Sequence, residues 1–555
     1  MRQWWRKGSL MATAVLLGLP LFVVAYAALQ LLLSGDHSTL SHLWQTVVPE
    51  YIRNSLILLA GVAIGVMTLG VSTAWLTTCC RFPGQRYFQW ALLLPLAMPA
   101  YITAYTYTGM LDFSGPLQSA IRDFTGWGYG DYWFPQIRSI AGAVMVLSLV
   151  LFPYVYLITR AAFLQQSTAT MEAGRSLGLT PWQSFWRLAL PLARPAMVTG
   201  TTLALMETLA DYGTVQYFGV TTFTTGIFRT WYGLGDLQGA LQLAAMLLVA
   251  VIALIMIERW SRQNARYEQS SQRQAQPFQL TGSKAWLATA ACALPLTLGF
   301  ILPALQLAAW SLDRWQVWTQ PDFWGLAFNS LMLAFIAAII TVLLALWLAY
   351  GKRQFPTRPI RATVSFAGMG YAIPGIVIAV GVMLPLAALD AGLIAVAKSW
   401  FNWNPGLLFS GTLVALLFAY TVRFLSVSLQ TVSAGLAQIR PSMDESAQIL
   451  GYQPPQVLRK VHFPLLRTSI LTAIILVGVD VLKELPATLV LRPFDFNTLA
   501  VRAYEMAGDE RLADAGPPAL MMVMVGLIPV ILLSRAMLAS QHVVLKEHEL
   551  GPVTP

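Results

Sequence analysis

The chain has 555 residues, of which 57% are hydrophobic and only 11% are charged, and its formal net charge is +10 at pH 7. So few charged residues cannot cover a soluble globule of this length, and the composition predicts a polytopic membrane protein. The basic residues lie in short segments between apolar runs, which is typical of membrane orientation and argues against nucleic-acid binding. Cys79, Cys80 and Cys292 lie in or beside apolar runs, and we expect free thiols.

The first apolar run, residues 10–33, follows Arg2, Arg6 and Lys7 and could be mistaken for a signal peptide. The run is longer than the apolar core of a signal peptide and long enough to span a bilayer. We therefore interpret it as an uncleaved first membrane helix.

Apolar runs of bilayer-spanning length occur in two sets of six. The first set lies near residues 10–33, 55–78, 88–111, 140–163, 193–211 and 238–257. A segment rich in Arg, Gln and Ser follows at 258–284, and we expect it to be a flexible cytoplasmic linker. The second set lies near residues 286–310, 328–350, 363–389, 407–427, 468–485 and 517–537.

The two sets predict an all-α polytopic membrane protein with about 12 transmembrane helices, built as tandem six-helix repeats at 1–257 and 285–555. Local matches support the repeat, since Asn54-Ser55 in the second span of the first half recurs as Asn329-Ser330 in the second span of the other half. Six spans return the chain to the same side of the membrane, so the repeats are parallel and related by an axis along the membrane normal. A central pathway between the halves follows from that symmetry.

The distribution of basic residues predicts the orientation of the chain. The larger share of the 35 Lys and Arg residues falls on one side if both termini, the linker and the loops after the fourth span of each half are cytoplasmic. The positive-inside rule favours this arrangement over its inverse. We therefore expect both termini in the cytoplasm.

A polar motif interrupts the apolar pattern once in each half, between the fourth and fifth spans. The first copy runs from Glu172 through Gly178 to Pro191. The second begins at Glu445 and repeats the spacing of the first copy without a gap, through Gly451 to Pro464. Two copies at identical spacing predict one function performed at two equivalent places.

Each copy of the motif predicts a helix, a glycine turn and a second helix. Gly178 and Gly451 stand where a left-handed residue ends the first helix. Thr180 and Gln183 fit a capping box for the second helix, and Pro191 and its counterpart in the second copy are expected to end that helix.

The second helix of the motif offers apolar side chains outside the membrane, among them Trp182 in the first copy and Leu458 in the second. Such side chains could fill a groove of a partner protein. They could also belong to an amphipathic helix that rests on the bilayer surface. The repetition at identical spacing favours docking to a symmetric partner.

Glu-Ala-Ala, three residues, Gly, nine residues and Ile-x-Leu-Pro form the EAA-loop signature of the membrane subunits of binding-protein-dependent ABC importers, and both copies resemble it. The departures are mild: Gly174 and Ser446 replace alanines of the signature, and Leu188 and Val461 stand at the Ile position. With the segments 206–215 and 224–227, the chain most resembles the fused two-domain ferric-iron permeases. Thiamine, polyamine and sulfate permeases are more distant relatives of the same superfamily.

The resemblance implies a type I ABC importer-like fold and a permease subunit of the bacterial inner membrane, rather than an enzyme. Two copies of a cytoplasmic ABC ATPase would dock on the loops and hydrolyse ATP, and a periplasmic substrate-binding protein would deliver the cargo. The chain itself would bind no cofactor, and it contains no Gly-x4-Gly-Lys-Ser/Thr phosphate loop. The residues implied in coupling to the ATPase are Glu172, Ala173, Gly178, Trp182, Pro191, Glu445, Ala447, Gly451, Leu458 and Pro464.

Ferric iron, moved by alternating access, is the cargo that the resemblance favours. The same machinery could instead carry thiamine, a polyamine or another small solute. An ion-gradient-driven secondary transporter also has repeats and intramembrane carboxylates, but it does not need duplicated cytoplasmic loops.

Four carboxylates predict the translocation path. Glu207 and Asp211 lie one helical turn apart on one face of the fifth span, and the offset that relates the two loops carries them onto Asp480 and Glu484. Intramembrane carboxylates are costly and usually face a water-filled path, and four of them would suit transient binding of a hard cation such as Fe³⁺. There are two alternatives. The carboxylates could lie in water at the outer ends of their helices, or they could form structural ion pairs with Lys483, Arg229 and Arg502.

Overall fold

The computed structural model describes residues 2–33, 38–128, 130–165, 174, 176–263 and 277–549, and nearly all of them are helical. Within these ranges, eleven helices are long and apolar enough to cross a membrane, judged by length and composition. The predicted all-α polytopic membrane fold is confirmed.

The helices of the first half, in chain order, are α1 (Arg2–Leu33), α2 (Ser38–Thr46), α3 (Val48–Cys79), α4 (Gln85–Ala91), α5 (Ala100–Leu111), α6 (Pro116–Thr125), α7 (Ile140–Gln165), α8 (Pro181–Ser184), α9 (Leu190–Ala210), α10 (Gly213–Tyr217), α11 (Phe223–Phe228) and α12 (Leu237–Gln263). A 3₁₀ turn occupies Leu94–Ala97, and π turns occupy Phe185–Ala189 and Arg229–Gly233.

The second half contains α13 (Ser283–Leu296), α14 (Leu302–Asp313), α15 (Pro321–Gln354), α16 (Arg358–Ala367), α17 (Gly375–Phe401), α18 (Leu413–Gln438), α19 (Pro441–Ile449), α20 (Pro454–Val457), α21 (Phe463–Lys483), α22 (Pro486–Leu491), α23 (Leu499–Gly508) and α24 (Leu512–Glu549). Its 3₁₀ turns are Trp315–Thr319 and Gly370–Ala372, and its π turns are Thr297–Ile301 and Leu458–His462.

The third predicted span of each half is broken at a proline. Pro99 and Pro374 both have an extended backbone, with ψ of 138°, and a 3₁₀ turn precedes each of them. Proline lacks an N–H and disfavours helical geometry in the residue before it, so the helix restarts only after the proline. The prediction of continuous helices over 88–111 and 363–389 is therefore wrong: α5 has only 12 residues, and the second-half span is α17, Gly375–Phe401.

The first helix of each half packs against the opposite half. On α1, a side chain added at Gly18 would collide with Phe366 of α16, and one added at Gly381 of α17 would collide with the backbone of Pro20. In the second half, Ala288 and Cys292 of α13 belong to the hydrophobic core of the first half. The two repeats of the sequence therefore interlock in space.

The segment between the halves contains regular structure at both of its described ends. Helix α12 continues to Gln263, into the predicted linker, and Phe278–Gln279 pairs as a parallel strand (β2) with Cys80–Arg81 (β1). Cys80 and Cys292 are buried free thiols, as predicted. Burial raises the pKa of the Cys80 thiol to about 12, so it stays protonated at neutral pH.

Both glycine turns adopt left-handed geometry, with φ of 77° at Gly178 and 81° at Gly451. In each copy, the residue after the glycine donates its N–H to a carbonyl five residues back, from Leu179 to Gly174 and from Tyr452 to Ala447, both at 3.0 Å. This is the Schellman pattern of a helix end. The predicted turns are confirmed.

The helix after each glycine turn begins with a capping box, through Thr180 and Gln183 in the first copy and through glutamines in the second. It does not end at Pro191 or Pro464, as the sequence led us to expect. A π turn of five residues stands just before each proline, and its wider coil leaves room for the proline ring. Each loop helix therefore runs without interruption into the fifth span, α9 or α21.

Candidate functional site

The two halves enclose a cavity of about 620 Å³. Its walls come mainly from α7 and α9 of the first half and from α18 and α21 of the second, and the proline break at Pro99 opens onto it. All four predicted path carboxylates line this cavity: Glu207, Asp211, Asp480 and Glu484. The structure thus brings the four together, but it gives them two different environments.

Asp211 follows the last residue of α9 and caps the short helix α10. Its Oδ1 accepts hydrogen bonds from the backbone N–H groups of Thr214 at 3.0 Å and Val215 at 3.1 Å, and its Oδ2 accepts one from the Thr214 hydroxyl at 2.9 Å. A carboxylate at a helix N-terminus satisfies N–H groups that lack partners within the helix. Asp211 therefore fixes the backbone that follows the fifth span.

Glu484 holds the equivalent place in the second half and caps α22. Its carboxylate accepts from the N–H groups of Ala487 and Thr488, both at 3.0 Å, and Arg423 of α18 places its Nη1 3.3 Å from Oε1. A side chain at Gly375, directly after the proline break, would collide with both members of the ion pair. This buried pair therefore joins α17, α18 and α22.

Glu207 and Asp480 lie one helical turn earlier on α9 and α21, and both are half-buried against the cavity. Neither carboxylate has a hydrogen-bond or ion-pair partner within the part of the chain that the structure describes. Each lies within electrostatic range of the other, and Lys483 lies within range of Asp480. Their charges are directed at the cavity rather than used by the fold.

Two phenols complete this part of the cavity. Tyr154 of α7 and Tyr371 of the 3₁₀ turn before Pro374 both line the cavity, one from each half, and they interact electrostatically. Both lie within electrostatic range of Glu207 and Asp480. Each half therefore supplies one carboxylate and one phenol.

Lys483 is the second basic residue of the cavity, after Arg423. Its Nζ donates a hydrogen bond of 2.7 Å to the carbonyl of Leu96, in the 3₁₀ turn before Pro99. Four acidic and two basic residues line the cavity, so its formal charge is negative. The environment favours a cation over an anion.

The two ends of the cavity differ. On the side away from the repeated loops, Tyr101, Tyr212 and Tyr504 pack ring against ring, and the Tyr101 hydroxyl lies 3.8 Å from the sulfur of Met522. On the loop side, a second cavity of about 600 Å³ adjoins the first, and Tyr371 lines both. The central cavity is therefore closed toward one face and connected toward the other.

The residues predicted to couple the chain to an ATPase lie on the loop side, apart from Glu172 and Ala173, which are outside the described residues. Trp182 is 68% exposed, so it is not part of the folded core. Of the others, Leu458 is half-buried, Ala447 is buried, and these are exposed: Gly178, Pro191, Glu445, Gly451 and Pro464.

Each loop is anchored to the membrane helices, but by different chemistry. In the second copy, Asp444 contacts Arg353 of α15 at 2.8 Å and His462 of the π turn at 2.5 Å. In the first copy, the ring of Phe185 packs 5.3 Å from that of Trp75 on α3. Each loop therefore contacts the membrane helices directly.

Sequence reasoning missed Arg423, Tyr154 and Tyr371. It proposed Arg229 and Arg502 as partners of the carboxylates, yet both are exposed. Arg423 could have been found, since it is a charged residue within a predicted membrane span and such residues are rarely without function. The two tyrosines carry no such signal, because only folding brings them beside the carboxylates.

Arg423→Met should lower the midpoint of thermal unfolding in detergent, because removing one partner of a buried ion pair costs about 3–5 kcal/mol. Arg423→Lys should restore part of the loss. Arg502→Met removes the same charge from an exposed position, so it should change stability by no more than about 0.5 kcal/mol. Equal effects of Arg423→Met and Arg502→Met would contradict the structural role of the Arg423–Glu484 pair.

Comparison with known proteins shows what the chain resembles. Residues 81–266 match the family described as "Binding-protein-dependent transport system inner membrane component". The chain is 26% identical to the Fe(3+)-transport system permease protein FbpB 2 of Haemophilus influenzae, over 94% of this chain and 97% of that protein.

Two further relatives are shorter. The molybdenum transport system permease protein ModB of Escherichia coli is 28% identical over 39% of this chain and 89% of its own length. The sulfate transport system permease protein CysT of Escherichia coli is 26% identical over 27% of this chain and 50% of its own length. Residues 81–266 are therefore similar to binding-protein-dependent transport system inner membrane components, and over most of its length the chain resembles the permease proteins of ferric transport systems.

Proposed function

We propose that this ABC importer permease moves ferric iron from a periplasmic binding protein to the cytoplasm, driven by ATP hydrolysis on two copies of a separate ATPase subunit. The observation that supports a cationic cargo is the negative formal charge of the central cavity. Sulfate appears in the name of one relative, and a cavity with four acidic and two basic residues would repel such an oxyanion. A hard trivalent cation is attracted by the same charges.

The repeated loops would receive the energy input. Each loop helix is continuous with the fifth span, and that span carries Glu207 or Asp480 at its far end. A displacement of the loop by the ATPase would therefore move a cavity carboxylate directly. The ATPase can drive such a change only if its nucleotide states bind the two conformations of the permease with different affinities.

The cavity suggests the stage of alternating access. The central cavity is closed by tyrosines on one side and adjoins a second cavity on the loop side. If the loops are cytoplasmic, this arrangement corresponds to an inward-facing state. In that orientation, both termini and the segment 258–284 lie in the cytoplasm, which accords with the positive-inside rule. The two moving halves are residues 1–257 and 285–555. Closing the loop side and separating the tyrosines would produce the outward-facing state.

A small organic cation, such as thiamine or a polyamine, is the second candidate cargo. The cavity volume of about 620 Å³ favours it, since a bare metal ion needs less room. The negative charge suits both cargoes. Transport assays with each cargo distinguish them.

Proteoliposomes that contain the permease, its ATPase and its binding protein should take up radiolabelled ferric iron when ATP is present. Glu207→Gln and Asp480→Asn should each reduce the rate roughly tenfold or more, because a loss of about 1.4 kcal/mol of stabilisation has that effect. Asp495→Asn, which removes an exposed carboxylate outside the cavity, is the matched control. Uptake of molybdate, sulfate or thiamine without uptake of iron would refute the iron proposal.

The coupling role of the loops is tested through two exposed leucines at equivalent positions, each just before the glycine of its turn. Leu177 is 82% exposed and Leu450 is 75% exposed, so neither substitution should disturb the fold. The double variant Leu177→Glu, Leu450→Glu should fail to co-purify with the ATPase and should lose ATP-dependent uptake. Leu234→Glu, at an exposed leucine distant from the loops, should retain both. Retention of the ATPase by the double variant would overturn the docking proposal.

A further inference from the structure

We infer that Glu207, Asp480, Tyr154 and Tyr371 form a transient site for a bare ferric ion, bound directly through two carboxylates and two phenolates. The inference rests on the proposed function and names the ligands and the chemical form of the cargo. It differs from the four-carboxylate constriction that the sequence suggested, because two of those carboxylates are replaced by phenols.

The environment of each carboxylate decides which ones are available. Asp211 and Glu484 already accept hydrogen bonds from the helices they cap, and Glu484 is also paired with Arg423. Binding a metal through either would cost a helix cap or a buried ion pair. Glu207 and Asp480 have no such partners within the described residues, so their oxygens can bind a cargo without any loss to the fold.

The two phenols are brought to the same place by the fold. Tyr154 and Tyr371 line the same cavity as Glu207 and Asp480, and each phenol interacts electrostatically with both carboxylates. One carboxylate and one phenol come from each half, so the four ligands can converge only while the two halves keep this relative position. A rocking motion of the halves would separate them and release the ion.

The ligand set suits ferric iron in chemistry and in charge. Carboxylate and phenolate are hard oxygen donors, which prefer hard cations. Binding would release the proton of each phenol to cavity water, with no change of oxidation state. Two carboxylates and two phenolates carry four negative charges, which suffice to neutralise the three positive charges of Fe³⁺.

The position of Tyr371 indicates the route of release. Its side chain lines both the central cavity and the adjoining cavity on the loop side. Ser426 and Gln430 of α18 also line both, so polar groups continue beyond the site. An ion that leaves the phenolates therefore enters the second cavity on the side of the repeated loops.

The experiment is a titration of the purified full-length permease in detergent with ferric citrate, followed by visible absorption. Direct bonding of phenolate to Fe³⁺ produces a charge-transfer band that carboxylates and citrate do not produce. The wild type should show the band, and the double variant Tyr154→Phe, Tyr371→Phe should lack it. Tyr212→Phe, at a phenol of the same cavity whose ring packs against that of Tyr504, should leave it intact.

Uptake of radiolabelled iron into proteoliposomes is measured on the same variants, so that the two proposals can fail separately. The site predicts that Glu207→Gln and Asp480→Asn weaken the band and slow uptake together. If the wild type transports iron but shows no band, and the tyrosine variants transport normally, iron crosses without these ligands and the inferred site is wrong. If the wild type transports no iron, the proposed function itself fails.

Discussion

The free-energy cost of a charge inside a membrane protein organises this structure. A carboxylate away from bulk water persists only if it is paired, hydrogen-bonded or turned toward a polar cavity. The chain uses all of these solutions near the end of its two fifth spans, where the two carboxylates of each half lie one helical turn apart. Glu484 is paired with Arg423 and caps α22, Asp211 caps α10, and Glu207 and Asp480 face the cavity. The first two charges are used to fix the backbone, and the last two remain available to a cargo.

This division depends on breaks in the helices. The proline breaks at Pro99 and Pro374 interrupt the third span of each half beside the cavity, and the fifth spans end just before the caps of Asp211 and Glu484. Irregular backbone is tolerated at membrane depth only where protein or a water-filled cavity satisfies its polar groups. The ammonium of Lys483, which binds the carbonyl of Leu96 just before the first break, supplies one such partner.

Continuous helices connect the loops to the cavity. A π turn before Pro191 and another before Pro464 allow each loop helix to continue into the span that carries a cavity carboxylate. The anchors of the two loops differ, since Asp444 contacts Arg353 and His462 in one half and Phe185 packs on Trp75 in the other. The two halves therefore share geometry without sharing side-chain chemistry.

The repeat was predictable from sequence because one fixed offset relates motifs that are far apart in the chain, and that offset identified all four carboxylates in the cavity. Local rules also predicted the left-handed glycines and the capping box at Thr180. They failed at Pro99 and Pro191, where hydropathy and proline rules conflict and tertiary packing decides the outcome. Sequence could not separate the capping carboxylates from the free ones, because their partners, Arg423 among them, come from other helices.

The most direct measurement is a structure of the permease loaded with ferric iron, in which anomalous scattering locates the metal. The account predicts a single iron between the halves, within bonding distance of oxygens from Glu207, Asp480, Tyr154 and Tyr371. Iron bound instead at Asp211 or Glu484, or a cavity that binds no iron while transport continues, would contradict it.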